Sequence, residues 1–343
     1  MLSLKMRFHA SLYALMTAGI GAGMTYAVPL EAQTLSWVQL GYSSAPSARE
    51  NAGMAYDENT HSMVLFGGDG DGILGDTWTW NGTWHAMLPA TSPAPRQGPA
   101  IAFDRAAGNL VLFGGSPTVP VGKGTAFGDT WTWDGINWTQ QFPPVSPPAR
   151  VWSSMVYVPA AGTVLLFSGT NSPDGDDCFD DTWAWNGITK TWTQLHPAAH
   201  PPGRTMNQLV YDGTTHTVVL FGGVTAGLTD LADTWTWDGI NWAQQSPASN
   251  PGPRNGPVLT YDDSLHAVVL FGGAIGPCCS DNLNDTWTWN GADWMEIYPG
   301  TMLPPARNAP TMSYDPLYKV VLLFGGDSNG PLLDDTWYLT LAR

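Results

Sequence analysis

The chain has 343 residues, 29 of them acidic and only 13 basic, for a net charge of −16. That balance argues against nucleic acid and anionic membrane surfaces as partners, since both require basic patches; a hydrophobic fraction of 43% excludes global disorder. Gly (39) and Pro (28) make up about a fifth of the chain and Trp occurs 18 times, a composition of many short strands joined by turns, with little room for long helices.

In chain order, the first element is an address. Lys5 and Arg7 precede an apolar or small-residue run from Leu12 to Met24, and Thr25-Tyr26-Ala27 follows. The run has the length of a signal h-region and is too short to span a bilayer. The expectation is a signal peptide over 1–27 cleaved after Ala27, a short linker over 28–34, and an exported chain, secreted or periplasmic. No second apolar run of spanning length follows, so no membrane span is expected. Loss of Lys5 and Arg7 leaves 11 basic residues against 29 acidic ones, a net charge of −18.

From residue 35 to the end, 35–343, one unit is written six times. A Val-Leu-Phe-Gly-Gly tract or close variant ends at Gly68, Gly115, Gly169, Gly223, Gly273 and Gly326, with Ser168 replacing the first Gly of the third copy. Each tract leads to Asp-Thr-Trp at Asp76, Asp129, Asp181, Asp233, Asp285 and Asp335. Upstream of each lies an Arg with an aromatic seven residues later, as in Arg49/Tyr56, Arg96/Phe103 and Arg150/Tyr157; successive arginines are spaced by 47, 54, 54, 50 and 53 residues.

Every unit holds four strand-like runs: one from the Arg to the aromatic, the tract ending in Gly-Gly, Asp-Thr-Trp-Thr-Trp with period-two alternation, and a last run beginning near a further Trp. An Asn-Gly or Asp-Gly turn such as Asn81-Gly82 or Asp134-Gly135 joins the last two. The sixth copy stops after its third run, at Leu341, while the orphan Ser36-Trp-Val-Gln-Leu40 precedes the first Arg. A ring closed by pairing the termini, with Trp37 in the missing slot, accounts for both and leaves no open sheet edge.

The double Gly, the downstream aromatic pair and the period near ~50 residues resemble the kelch motif of exported bacterial proteins, over residues 35 to 341. The resemblance implies an all-β, six-bladed kelch β-propeller with four-stranded blades, the last closed by the N-terminal strand near Trp37. It does not imply a function, because kelch propellers host enzymes, ligand binders and interaction platforms.

Seventeen of the 18 Trp fill repeat slots and are expected to pack between blades. Trp152 is the exception; in kelch propellers its strand lines the central channel, where an aromatic stacks on a sugar ring or simply packs. The resemblance places all six arginines beside that channel, so the candidate ligand set at its mouth is Arg49, Glu50, Arg96, Arg150, Trp152, Arg204, Asn207, Arg254 and Arg307. A guanidinium ring there suits carboxylates or phosphates; the competing reading pairs each Arg with an Asp-Thr-Trp aspartate.

Two acid-rich loops are calcium candidates, one with Asp69, Asp71 and Asp76 and one with Asp174 and Asp176, although neither has EF-hand spacing. No other cofactor is expected. Tyr-Asp-x-x-x-His recurs at Asp57/His61, Asp212/His216 and Asp262/His266. It is similar to half of the iron triad of the kelch nitrile-specifier proteins, but the Glu slot holds Gly53, Gln208 and Val258. A turn in which the His bonds the Asp is expected instead. Three cysteines occur, and a vicinal Cys278–Cys279 disulfide that leaves Cys178 over is favoured for an oxidising compartment. The function expected is a binding module, monomeric, holding a glycan, peptide or partner protein on its loop face. The alternative is an enzyme acting on a sugar or sugar acid, like the exported kelch sialic acid mutarotases, with Glu50 moving protons, or like galactose oxidase without recognisable copper ligands.

Overall fold

A computed structural model describes residues 35–119, 125–172, 178–276 and 281–341. The leader and linker expected at the N-terminus lie outside these residues, as do Asp174, Asp176, Cys278 and Cys279. Six four-stranded antiparallel sheets form the blades. The first is built from Gly53–Asp57, Ser62–Gly70, Gly72–Trp80 and Trp84–Met87, and the next four repeat this order from Ala100–Asp104 to Trp294–Ile297. The innermost strands touch their neighbours in sequence, and Thr311–Asp315 of the sixth blade returns to Gly53–Asp57 of the first, which closes the ring.

The sixth blade consists of Thr311–Asp315, Val320–Phe324, Thr336–Leu341 and, as its outer strand, Leu35–Leu40. The register runs from Leu35 opposite Leu341 to Leu40 opposite Thr336, which sets Trp37 beside Leu339. The orphan segment therefore supplies the missing strand.

Alternation explains the Trp excess. The outer-strand Trp of each blade packs against the Phe before the Gly-Gly slot in the second strand of the preceding blade: Trp138 on Phe66, Trp192 on Phe113, Trp242 on Phe167, Trp294 on Phe221, Trp37 on Phe271 and Trp84 on Phe324, with centroids 5.1–5.3 Å apart. Its indole N–H donates to the Thr of the preceding Asp-Thr-Trp, from Trp138 to Thr77 at 3.0 Å through Trp84 to Thr336 at 2.9 Å. A buried donor is thus matched by a buried acceptor at every seam, and Trp37 to Thr286 at 3.2 Å shows that the closing strand obeys the same rule.

Candidate functional site at the loop-face end of the channel

The connectors into the innermost strands and the loops between second and third strands share one face. There each arginine does two jobs. Its main chain belongs to the preceding blade: the Arg96 carbonyl accepts from Gly68 N–H at 2.9 Å, and the contact recurs round the ring to Arg49 with Gly326 at 2.8 Å. Its side chain belongs to its own blade. Arg96 donates through Nη1 to Asp129 Oδ1 at 2.6 Å and to the Gly114 carbonyl at 2.8 Å, through Nη2 to Asp129 Oδ2 at 2.9 Å, and through Nε to the Ala94 carbonyl at 2.9 Å. Arg49, Arg150, Arg204, Arg254 and Arg307 make the same set with Asp76, Asp181, Asp233, Asp285 and Asp335. Each aspartate also accepts from the indole of its own Asp-Thr-Trp, as Asp129 does from Trp131 at 2.7 Å.

These arginines are at most 2% exposed. The ring of guanidinium groups expected at the channel mouth is therefore six separate blade-to-blade clamps, with every guanidinium turned into its own blade. Burial by itself would raise the carboxyls; hydrogen bonds and charge from the arginines outweigh it and hold Asp76, Asp129, Asp181 and Asp233 below the ordinary value. The double Gly follows from the same geometry. A Cβ on Gly114 would lie 2.3 Å from the Arg150 carbonyl oxygen, at φ +70°, so a side chain there collides with the docking main chain.

Two residues beyond each arginine the chain turns left-handed: Asn51, Gly98, Trp152, Met206, Gly256 and Ala309 have φ between +46° and +58°. Their amides link in a closed circle about the axis. Gly98 N–H donates to Asn51 O, Trp152 to Gly98, Met206 to Trp152, Gly256 to Met206, Ala309 to Gly256 and Asn51 to Ala309, at 2.8–3.2 Å. Gly accepts this conformation freely and Asn readily; for Trp and Met it costs about 1–2 kcal/mol each.

All six residues of this circle line a cavity of about 80 Å³, together with Ser153, Asn207 and Gln208 among others. Three of these residues each carry a buried polar group with no hydrogen-bond partner: Trp152 Nε1, Ser153 Oγ and Asn207 Nδ2. Asn207 is 3% exposed and Ser153 9%. The other end of the Asn207 amide lies 2.7 Å from Ser168 Oγ, which also donates to the Arg204 carbonyl. Ser168 stands in the Gly slot at φ +76°; the one copy that departs from Gly-Gly thus braces the amide. The Trp152 indole lies over Gly98, where a Cβ would come within 2.6 Å of Cδ1.

Of the candidate residues, the structure brings Trp152 and Asn207 together at this cavity and sends the six arginines elsewhere. Glu50 lies at the seam of the first and sixth blades, its backbone paired with Asp69; burial, then the charges of Asp327 and Asp69, push its carboxyl up to about 7. Asp76 is committed to Arg49 and Trp78, while Asp69 and Asp71 lie along a hairpin that extends the first blade through Gly70 and Gly72. Among the described residues no group of three or more His, Cys, Asp or Glu could hold a metal ion.

The recurrent His meets its Asp through the main chain, His216 N–H donating to the Asp212 carbonyl at 2.8 Å, and its ring goes elsewhere. Asp57 Oδ1 accepts from the amides of Asn59 and Thr60 at 2.9 and 3.3 Å, which occupies it within the turn. His61 and His216, left-handed at φ +50° and +60°, aim their rings instead at the hydroxyls of Tyr56 (3.4 Å) and Tyr211 (3.2 Å). Sequence reasoning missed Ser153, Met206 and the amide circle. The signal was present in the slot two residues after each arginine, where two Gly and an Asn mark left-handed backbone.

No helix among the described residues is long and apolar enough to cross a membrane. A solved structure described as "Structure of YjhT" matches with a TM-score of 0.64 at 16% sequence identity, covering 87% of this chain and 98% of that one; at that identity the likeness shows the fold alone. A family model described as the KLHDC2/KLHL20/DRC7 Kelch-repeats domain matches residues 153–343. With six blades, a double Gly at five of the six arginine-docking points and a family match over more than half its length, this chain belongs to the kelch-repeat family.

Proposed function

We propose that the protein is an exported binding module whose loop face takes an extended segment of a peptide, glycan or partner protein, with one oxygen-rich group of that segment entering the axial cavity. One observation carries the reading: Trp152, Ser153 and Asn207 line a single cavity, and each carries a buried polar group without a hydrogen-bond partner, namely Trp152 Nε1, Ser153 Oγ and one end of the Asn207 amide. Buried polar groups are hydrogen-bonded in nearly all native proteins, so three together in one wall mark a place for a further partner. An indole N–H and a hydroxyl donate, which suits a carbonyl or carboxylate oxygen. Strain at Trp152 and Met206 falls on the same two blades, as backbone strain at functional sites does. A proton-transfer enzyme would need an acid–base group facing the cavity; Glu50 lies outside the cavity wall and the nearby arginines are engaged. Thermal-shift screening of the mature chain against glycan and peptide panels tests the proposal. Stabilisation by a hit should vanish in Asn207→Leu and weaken in Trp152→Phe, which keeps the ring and removes the donor. Hits that stabilise both variants as well as wild type would overturn it.

A further inference from the structure

The opposite end of the channel is wider and chemically different. The aromatic that follows each arginine by seven residues comes round the axis once per blade, as Tyr56, Phe103, Tyr157, Tyr211, Tyr261 and Tyr314, and these six line a vestibule of about 470 Å³. Small-molecule sites occupy roughly 300–1,000 Å³ and combine apolar or aromatic walls with a few fixed polar groups. Here four of the five hydroxyls are tied back at the rim. Tyr56 and Tyr211 meet His61 and His216 of their own turns, while Tyr261 and Tyr314 reach Thr214 (3.0 Å) and Ser264 (2.8 Å) of the preceding blade. Those four rings are thereby held before any ligand arrives.

The rim carries charge as well. Arg105 Nε donates to Glu58 Oε1 at 2.5 Å across two blades, and exposed Asp263 also lines the vestibule. Acceptors outnumber donors among these charges, and further carboxylates, Asp57 and Asp315, stand behind Tyr56. Such a wall favours a ligand with C–H faces for the rings and hydroxyls for the rim, and it repels anions.

We propose that this vestibule is a second binding site, for a neutral or amino-bearing saccharide, separate from the loop-face cavity. Ring stacking supplies affinity; the Glu58, Asp263 and Arg105 rim supplies hydrogen bonds and discrimination against sugar acids. The test is saturation-transfer NMR on the mature chain with three disaccharides, cellobiose, deacetylated chitobiose and a glucuronate-containing disaccharide, with affinities from calorimetry. Transfer to ring C–H protons is expected for the first two and weaker transfer for the acid. Removing two rings in Tyr157→Ala/Tyr211→Ala should weaken binding about tenfold or more, whereas Tyr157→Phe should keep it. Asp263→Asn at the exposed rim, which leaves the fold intact, should narrow the discrimination against the acid. Asn207→Leu should change nothing, so that failure here and failure of the loop-face reading are told apart. The proposal is overturned if no disaccharide gives transfer, if the double variant binds like wild type, or if the acid binds best.

Discussion

Replacing Arg96 by Met takes away four donated hydrogen bonds at once, to the Ala94 and Gly114 carbonyls and to both oxygens of Asp129. It leaves Asp129 charged at 20% side-chain exposure, with only Trp131 still donating to it from a side chain. Breaking a buried pair by deleting one partner costs about 3–5 kcal/mol, most of it the desolvation of the charge left behind. Asp129→Asn strands the fully buried guanidinium and should cost about the same. The double variant, with neither charge, should cost about as much as one single variant, giving a coupling of roughly 3 kcal/mol. Urea unfolding followed by tryptophan fluorescence reads all three, and the deficit should persist in high salt because the pair is buried. A pH series adds a sign. Asp129 is held below its unfolded value of 3.8, so the pair's stabilisation is present above that pH and is lost as pH falls through the lower, folded value. Arg96→Met should flatten that acid limb. Single variants costing less than about 1 kcal/mol, or costs that simply add, would refute the clamp argument.

Three further outcomes follow from named contacts. Glu50, raised to about 7, contributes stability that is complete below about 4.5 and lost as pH rises through about 7; Glu50→Gln should remove that slope and gain about 1–3 kcal/mol at pH 8, after allowance for partial solvent screening, as read by denaturant midpoints. Trp37→Ala, which empties a site 2% exposed in the closing strand, should cost about 3–5 kcal/mol, while Phe142→Ser, at 82% exposure, should stay within about 0.5 kcal/mol on the same urea curves. Gly98→Ala places a Cβ against the Trp152 indole at φ +58°, so it should cost about 1–2 kcal/mol in thermal unfolding and abolish ligand stabilisation at the loop face.

The ring was legible in the sequence because a propeller repeats its physics. Six copies of Asp-Thr-Trp and an outer-strand Trp, five of them with Gly-Gly, write the same seam six times, and Trp37 together with the truncated sixth copy shows how the ring closes. The arginines were legible as a set but not in role. Their spacing to the aspartates varies with loop length, and only the fold shows that each docks its main chain on one blade and its side chain on the next. The His turns were legible but the place of the ring was not: Tyr56 precedes Asp57, and the ring swings to the phenol while the backbone takes the carboxylate. Trp152 and Asn207 stood out as departures from the repeat. Ser153 did not, since a serine beside a strand start carries no signal until its hydroxyl is found without a partner. The aromatic vestibule was hidden for the opposite reason: a perfectly repeated residue reads as packing, and its convergence on the axis is a property of the closed ring.

The most direct measurement on the loop-face cavity is the indole N–H spectrum of the ¹⁵N-labelled mature chain, with its 18 tryptophans, the Trp152 resonance assigned from Trp152→Phe and followed through titration with a stabilising ligand from the thermal screen. Trp152 Nε1–H should shift strongly downfield as it gains an acceptor, while the indoles bonded to Asp or Thr hold their positions. A ligand that saturates the protein and leaves the Trp152 resonance unmoved would contradict it.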